Sequence, residues 1–391
     1  MRLTRTFLLC RDAFGCTLLT FLVGGLLYLL FDSVNFLNPF ENAFRDFNYT
    51  DIYYSQLQDT VTKTDKIILV NVGNSNRLDI ALGIEKVAAQ KPKAIGLDII
   101  FKDRKEKEFD SILSTTIKNT PNLVTAFRFD DEKIIENHAS LGITIKNSGY
   151  LNLSIEDETS VVRKFIAAKQ KDSHTFYSFP VKVAAKSGFL KKKSKEILNN
   201  QELTINYLGK QERYLSFDLK ELIIRDTIPK MKNAIVLLGF LGNKIGDNLS
   251  LEDKHFSPLN PKFAGRSFPD MYGMVIHANI LEMLSTDQFI YKTPNFINWL
   301  LAFLACWALI ALGMKIGKKN AFIFDLGIKF VQVLATVILL YITYLLVKYN
   351  IHLQITPLII FSLLGLEMIC FYTHLTRFIK KLLPWKSYVL D

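Results

Sequence analysis

The chain has 391 residues, 49% of them hydrophobic, and a formal net charge of +11 at pH 7. Residues 32–293 carry a net charge of only +3, so most of the excess positive charge flanks apolar stretches, and this distribution argues against nucleic-acid binding. All four cysteines, Cys10, Cys16, Cys306 and Cys370, lie in or beside those stretches. The long segment between them is therefore not disulfide-stapled and must fold around its own hydrophobic core.

Four apolar segments have the length of about 20 residues that a membrane-spanning helix needs. They cover residues 13–31, 296–314, 330–347 and 355–372. The first segment could instead be a cleaved signal peptide, but its length and the lack of a small-residue cleavage site favour an uncleaved anchor. Glu367 lies inside the fourth segment, and we expect snorkelling or helix packing there rather than a functional intramembrane charge.

Basic residues flank the four segments on one predicted side. These residues are Arg2, Arg5, Arg11, Lys315, Lys318, Lys319, Lys329, Arg377, Lys380, Lys381 and Lys386. Placing all of them in the cytoplasm satisfies the positive-inside rule at three separate flanks. We therefore expect a multi-pass protein of a bacterial inner membrane, with residues 1–12 and 373–391 cytoplasmic and residues 32–293 in the periplasm.

The predicted outer segment alternates short apolar runs with amphipathic ones. The predicted strands are 66–72, 94–101, 123–129, 161–168, 203–207 and 234–239, and the predicted helices are 40–59, 80–90, 109–118, 179–186 and 277–285. Such alternation is typical of a parallel sheet covered by helices. The predicted fold class is an α/β extracytoplasmic domain with a mostly parallel sheet, plus four transmembrane α-helices, one N-terminal and three C-terminal.

Asp98 is the sharpest candidate for function, because it interrupts an otherwise apolar predicted strand. A buried carboxylate must be solvated, paired or hydrogen-bonded, and the carboxyl ends of parallel strands line the usual ligand crevice. Two interpretations remain open: Asp98 contacts a ligand, or it forms a structural ion pair, for instance with Arg163.

Two other motifs favour structural roles. The glycines from Gly239 to Gly246 follow a strand but match neither the P-loop nor the dinucleotide-binding pattern, so they are best explained as turn residues. His277 and His255 match no zinc spacing, and we expect His277 to bond to backbone or carboxylate near the start of a helix. No metal site or cofactor is predicted, and no nucleophile–base pair that would indicate an enzyme is present.

The order of these features resembles the second class of CHASE domains, the extracytoplasmic sensory domains found with bacterial cyclases and histidine kinases. The resemblance covers nearly the whole chain. It is carried by the strand 66–72, the strand with Asp98, Asp110, the segment from Gly149 through Asn152 and Asp157 to Arg163, Asn206 to Gly209 with Ser216, and the run from Gly239 through Asp247 and Pro258 to the block Pro269–Asn279. The last block is the most specific, since it is long and lies just before a predicted span.

The chain departs from that family in two places. The family usually has two acids after its first strand and then a Trp-Pro-x-Arg segment, whereas this chain reads Gly73-Asn-Ser-Asn76-Arg77-Leu78. The family commonly continues into an effector domain, whereas about nineteen residues follow the last predicted span here.

The resemblance implies a sensor without catalytic output that detects a periplasmic signal and passes it to a separate partner protein. The candidate ligand-contacting residues are Asp98, Arg163, Asp247, His277 and Asn279. The alternative is a scaffold subunit of a cell-envelope membrane complex, in which the outer domain docks proteins. A sensor should have a pocket near Asp98, and a scaffold should instead present a broad apolar surface.

Overall fold

The computed structural model describes residues 2–32, 54, 62–131, 133–157, 159–190, 202–246, 250–260, 268–316 and 321–390. The predicted helix 40–59, apart from Tyr54, and the candidate Asp247 lie outside these residues. The chain divides into two compact units. One unit combines Met1–Ala43 with Tyr291–Asp391, and the other is Phe44–Ile290. We call them the helical unit and the α/β unit.

The described helices and strands follow one another along the chain as listed in this paragraph. The helices are α1 Arg2–Asp32, α2 Arg77–Ala89, α3 Lys107–Asn119, α4 Phe179–Ser187, α5 Leu219–Ile224, α6 Gly273–Thr286, α7 Asn295–Ile316, α8 Ala321–Lys348 and α9 Ile355–Leu382. The strands are β1 Thr64–Asn71, β2 Ala94–Leu97, β3 Leu123–Asp130, β4 Lys133–Ile135, β5 Ser148–Tyr150, β6 Ser154–Ile155, β7 Val162–Ile166, β8 Ala168–Lys171, β9 His174–Tyr177, β10 Glu202–Thr204, β11 Tyr214–Asp218, β12 Ile235–Gly239, β13 Lys254–His255, β14 Met271–Tyr272, β15 Tyr291–Lys292 and β16 Ile351–His352.

The main sheet of the α/β unit is mostly parallel, as predicted. Its strand order is β11-β1-β12-β2-β3-β4, with β5 also paired to β3. Among its described strand pairs, β3 with β4 is antiparallel and the others are parallel. Strands β6, β7 and β10 form a separate antiparallel sheet.

Both faces of the central strands are buried, which explains why these strands read as continuous apolar runs. Along β1, Ile67 and Leu69 pack into the core that contains α4 and α6, whereas Ile68 and Val70 pack into the core that contains α2, α3 and α5. Strand β12 alternates between the same two cores. Because side chains alternate across a strand, one run of five apolar residues supplies both layers.

The predicted strand 94–101 is too long. Strand β2 ends at Leu97, and the Asp98 N–H makes a final hydrogen bond to the Leu238 carbonyl oxygen at 2.8 Å before the backbone leaves the sheet. Asp98 therefore follows the strand rather than interrupting it. The predicted helix 277–285 is too short, because α6 begins at Gly273.

The helical unit contains four helices that are long and apolar enough to cross a membrane: α1, α7, α8 and α9. Glu367 of α9 forms an ion pair with Lys329 of α8 and accepts a hydrogen bond from Gln332 at 2.8 Å. This pairing gives Glu367 a helix-packing role. The segment after α9 contacts α1, where the buried carboxylate of Asp12 accepts a hydrogen bond from the Ser387 hydroxyl at 2.6 Å.

Candidate functional site

A cavity of about 1100 Å³ opens at the carboxyl ends of the parallel strands of the α/β unit. Its wall includes the residues that directly follow β1, β2 and β12: Val72, Asp98 and Phe240. Strand order places these three strand ends side by side, with β12 between the other two. In α/β folds this edge of the sheet is where ligands bind, because loops there diverge and leave a crevice.

Four titratable side chains lie together in this cavity: Asp98, Asp253, His255 and His277. We call them the floor cluster. Antiparallel pairing of β13 with β14, and a hydrogen bond from the Gly273 N–H to the Asp253 carbonyl oxygen at 3.0 Å, bring the first turn of α6 to the segment with Asp253 and His255. His277 lies one turn into α6, and Asp98 enters from the end of β2.

The environment of the floor cluster shifts the pKa values of all four members towards their uncharged forms. Burial, and then the charge of Asp253, raises the pKa of Asp98 to about 8. Burial, and then the charge of Glu252, raises the pKa of Asp253 to about 6. Burial, and then His255, lowers the pKa of His277 to about 3, and burial lowers the pKa of His255. At neutral pH, Asp98 is therefore mostly protonated and both imidazoles are neutral.

The floor cluster lacks the partners that other buried polar groups in this unit have. Within the described residues, no side-chain hydrogen bond or ion pair involves Asp98, His255 or His277, and His277 Nδ1 is buried without a partner. Three other carboxylates of the unit are satisfied: Asp110 by Arg77 and Ser140, Asp270 by Ser257, and Glu282 by Arg213 and Tyr214. Native proteins satisfy buried polar groups, and exceptions concentrate at functional sites.

One wall of the cavity is held by a buried ion pair. The Arg77 guanidinium donates to the Asp110 carboxylate and to the Asp103 carbonyl oxygen, and it lies 5.2 Å from the centre of the Phe101 ring. The Lys105 N–H also donates to Asp110, at 3.3 Å. Burial alone would raise the pKa of Asp110, but these hydrogen bonds lower it below its ordinary value. The pair therefore fixes the segment that runs from Asp98 to α3.

The structure brings together two of the predicted ligand residues, Asp98 and His277, in the cavity. Arg163 does not pair with Asp98, because it bonds to Glu156 and, at 2.8 Å, to the Thr159 hydroxyl in the separate antiparallel sheet. The ion-pair interpretation of Asp98 with Arg163 is therefore wrong. Since the fold places β7 outside the main sheet, these two side chains line different parts of the unit.

Asn279 has a structural environment. Its side-chain oxygen accepts hydrogen bonds from the Leu208 N–H at 2.8 Å and the Gly209 N–H at 3.2 Å, and its amide donates to Gly209 and Val275 carbonyl oxygens. Asn279 is fully buried and is not among the residues that line the cavity. Asp247, the fifth candidate, lies outside the described residues.

His277 also differs from its predicted environment. We expected a bond to backbone or carboxylate, but its Nδ1 atom has no partner among the described residues and its ring instead meets the Phe179 ring edge-on. Sequence reasoning missed Asp253 and recorded His255 only as a poor zinc ligand. Their spacing, two residues apart and just before the block that starts α6, is a weak signal that becomes specific only with the β13–β14 pairing.

Oxygen, nitrogen and sulfur ligands do not cluster for metal binding in the described residues: no group of three or more His, Cys, Asp or Glu side chains there could hold a metal ion. The floor cluster is therefore a set of hydrogen-bonding and charged groups in a cavity, and it can bind a small molecule by contacts with carboxyl and imidazole groups.

The chain combines an α/β unit, with a polar cavity at its sheet edge, and a unit of four apolar helices. These are the features of a multi-pass membrane protein with a large α/β domain. A family model described as CHASE2 domain matches residues 20–315, so the chain belongs to the CHASE2 domain family. This family comprises sensory extracellular domains. No curated protein and no solved structure matches the chain.

Proposed function

We propose that this protein is a bacterial inner-membrane sensor that binds a small molecule in the cavity and passes the signal to a separate partner protein. The floor cluster carries this proposal. A chain that satisfies the buried carboxylates of Asp110 and Glu282, yet leaves the half-buried Asp98 and His255 and the buried His277 unpartnered around a cavity, has the groups that a ligand would satisfy. The family match supports the sensory role.

We further propose that the α/β unit faces the periplasm and that both termini are cytoplasmic. The basic flanks support this orientation by the positive-inside rule. The contact between Asp12, near the start of α1, and Ser387, after the end of α9, supports placing both termini on the same side of the membrane, because four spans return the chain to its starting side.

Cysteine labelling tests the orientation. In a variant without the four native cysteines, Lys171→Cys in the exposed β8–β9 hairpin should react with a membrane-impermeant maleimide in spheroplasts, which lack the outer membrane. Lys381→Cys, at the end of α9, should react only after the membrane is broken. Reaction of Lys381→Cys alone in spheroplasts would refute the orientation.

The proposed output is a shift between two arrangements of the four helices. A ligand can drive such a shift only if it binds the two states with different affinity, and the partner must read the difference. We propose that the chain binds its ligand without transforming it. The scaffold alternative predicts instead that the activity of the partner protein does not depend on whether the cavity is occupied.

The test begins with purification of the full chain in mild detergent and identification of the proteins and small molecules that copurify. Mass spectrometry should find a small molecule on the wild type that is reduced at least tenfold on Ser75→Trp, which puts a large side chain at the cavity wall. The partner's activity in cells should change with that variant while partner recovery persists. Unchanged activity with an emptied cavity would support the scaffold, and a chemically altered product would show an enzyme.

A further inference from the structure

We infer that the floor cluster binds a small organic cation, with its ammonium group held between Asp98 and Asp253 and its hydrocarbon part against the apolar wall of the cavity. This inference rests on the proposed sensory function and specifies the chemical class of the ligand. Such binding has three requirements. The floor cluster must be anionic when the ligand is bound, and the Lys and Arg side chains of the cavity must form no ion pair with it. A polar atom of the cluster must also be without a partner in the protein, so that it can bond to the ligand.

The charge of the floor fits a cation. Three carboxyl groups, Asp98, Asp253 and Glu252, line the same part of the cavity, where the charge of one raises the pKa of the next. No Lys or Arg forms an ion pair with any of the three within the described part of the chain. An anion bound beside them would face like charge, whereas an ammonium group would relieve it.

Four basic side chains also line the cavity, Arg77, Lys102, Lys105 and Arg128, and within the described residues none of them forms an ion pair with the three floor carboxyl groups; Arg128 lies 3.9 Å from Asp130 instead. Arg77 is bonded to Asp110 and to the Asp103 carbonyl oxygen. Lys102 and Lys105 are exposed, in the segment that leads from Asp98 to α3. In the part of the chain that the structure describes, these lysines form no ion pair with the floor carboxyl groups, and water weakens the interaction between exposed charges that are not in contact.

An independent observation at the site also indicates a ligand. His277 is 3% exposed, lines the cavity, and leaves its Nδ1 atom without a hydrogen-bond partner in the described structure. A buried imidazole nitrogen without a hydrogen-bond partner is unfavourable, and a ligand that bonds to it removes this cost. Since the neighbouring His255 and the burial of the ring keep His277 neutral, its contribution is a hydrogen bond rather than a positive charge.

The remaining wall indicates an organic rather than a metal cation. Apolar side chains line the cavity next to the floor cluster: Ile99, Ile100, Leu151, Leu153 and Phe240. No cluster of three metal-ligating side chains is found in the described residues. A cavity of about 1100 Å³ is large enough for a small molecule with several carbon atoms.

Binding of a cation has a consequence for protons. A protonated Asp98 carboxyl must release its proton to solvent before it can face an ammonium group as a carboxylate. The ligand and the proton therefore compete for Asp98. Affinity for a cation should rise as the pH approaches 8, and below pH 8 each bound cation should release up to one proton, a number that falls above pH 8.

The experiment compares matched probes on the detergent-solubilised full chain by thermal unfolding. The cations are ethylammonium and 1,4-diaminobutane, the neutral probes of the same shape are ethanol and 1,4-butanediol, and the anions are propionate and succinate, all at constant ionic strength. The variants are Asp98→Asn, Asp253→Asn as a second floor variant, and Asp65→Asn as a control at an exposed acid paired with Lys230.

The inference predicts that at least one cation raises the midpoint of unfolding by about 2 °C or more, and that its neutral match does not. Asp98→Asn and Asp253→Asn should abolish the shift, and Asp65→Asn should keep it. Equal shifts with cation and neutral match, an anion shift that needs Asp98, or no shift with any probe would each overturn the cation inference. The copurification test separates these results from failure of the sensor proposal, because a neutral or anionic molecule found in the cavity would leave that proposal standing.

Discussion

Gly239 lies directly against Asp98: a Cβ atom built at position 239 would lie 3.0 Å from the Asp98 Cβ atom and 2.7 Å from the Met274 sulfur atom. The absence of a side chain at the end of β12 therefore allows Asp98 to sit at the base of the cavity, close to the first turn of α6. The sequence suggests that Gly239 is only a turn residue, but the position of Asp98 depends on the absence of a side chain at Gly239.

Gly239→Ala should displace Asp98 and lower stability by about 1–3 kcal/mol, because the added methyl group has no room in a packed core. Thermal unfolding measures the loss, and cation binding at pH 8 measures the displacement. Gly25→Ala is the control, since a Cβ there meets no atom within 4 Å. If Gly239→Ala were as stable as this control, the close packing of Gly239 against Asp98 would be refuted.

Arg77→Leu should destabilise the α/β unit by about 3–5 kcal/mol, because it leaves the buried Asp110 carboxylate without its charged partner. The matched control is Arg225→Leu, which breaks an exposed pair with Glu221 one helical turn away and should cost at most about 0.5 kcal/mol. Urea unfolding of both variants measures the difference. Similar losses in the two variants would show that the Arg77 pair does not support the cavity wall.

The pH dependence of stability should reveal Asp98. Its pKa is higher in the folded state, about 8, than the ordinary 3.8, so the folded state binds the extra proton between these values. Stability contributed by this proton is fully present below pH 4 and is lost as the pH rises towards 8. The Asp98→Asn variant should not show this loss of stability, because it has no carboxyl group at position 98 to ionise. The wild type should therefore lose stability relative to Asp98→Asn between pH 5 and pH 8.

Comparison with Asp98→Asn is needed because other charged or titratable groups also line the cavity. They are Arg77, Lys102, Asp103, Lys105, Glu106, Arg128, Glu252, Asp253, His255 and His277. The two histidines act in the opposite direction, since their lowered pKa values cost stability as the pH falls below 6.5. If the difference in the free energy of unfolding between wild type and Asp98→Asn does not change from pH 5 to pH 8, the raised pKa of Asp98 is contradicted.

Asn279 and His277, two residues apart on α6, should behave differently. Asn279→Leu should lower stability by about 2–4 kcal/mol, because it leaves the Leu208 and Gly209 N–H groups unpaired, without changing the affinity of the folded protein for a cation. His277→Phe should keep the edge-on packing against Phe179 and change stability by less than about 1 kcal/mol, but weaken cation binding several-fold. Calorimetric titration and thermal unfolding together separate the two roles. If Asn279→Leu weakened cation binding without lowering stability, and His277→Phe lowered stability without weakening binding, the two roles assigned to these residues would be wrong.

The sequence predicted the layers of the fold because each layer has a local signal. The predicted strands 66–72 and 234–239 contain the uninterrupted apolar runs 67–70 and 234–239, and this pattern indicates strands buried on both faces. The same reasoning overextended the strand at 94–101, since Ile99, Ile100 and Phe101 keep the apolar pattern after the backbone has left the sheet. Apolar residues line the cavity there, and composition does not distinguish a cavity wall from a core.

The site was predictable only in part. Asp98 stood out because a carboxyl inside an otherwise apolar predicted strand needs an explanation, and His277 because it belongs to the most specific block of the resemblance. Arg163 was misplaced, since nothing in the sequence shows that β7 belongs to a second sheet. Asp253 was missed because its position depends on the two-residue pairing of β13 with β14, which is too short to leave a periodic pattern.

The most direct test of the account is the protonation state of Asp98 in the full chain. Infrared difference spectra between wild type and Asp98→Asn isolate the signal of this one carboxyl group as the pH is varied. The account predicts a protonated acid at pH 6 that ionises near pH 8, and ionisation at lower pH in the presence of 1,4-diaminobutane. An Asp98 that is already ionised at pH 6 without any ligand would contradict it, because its charge would then be satisfied by the protein itself.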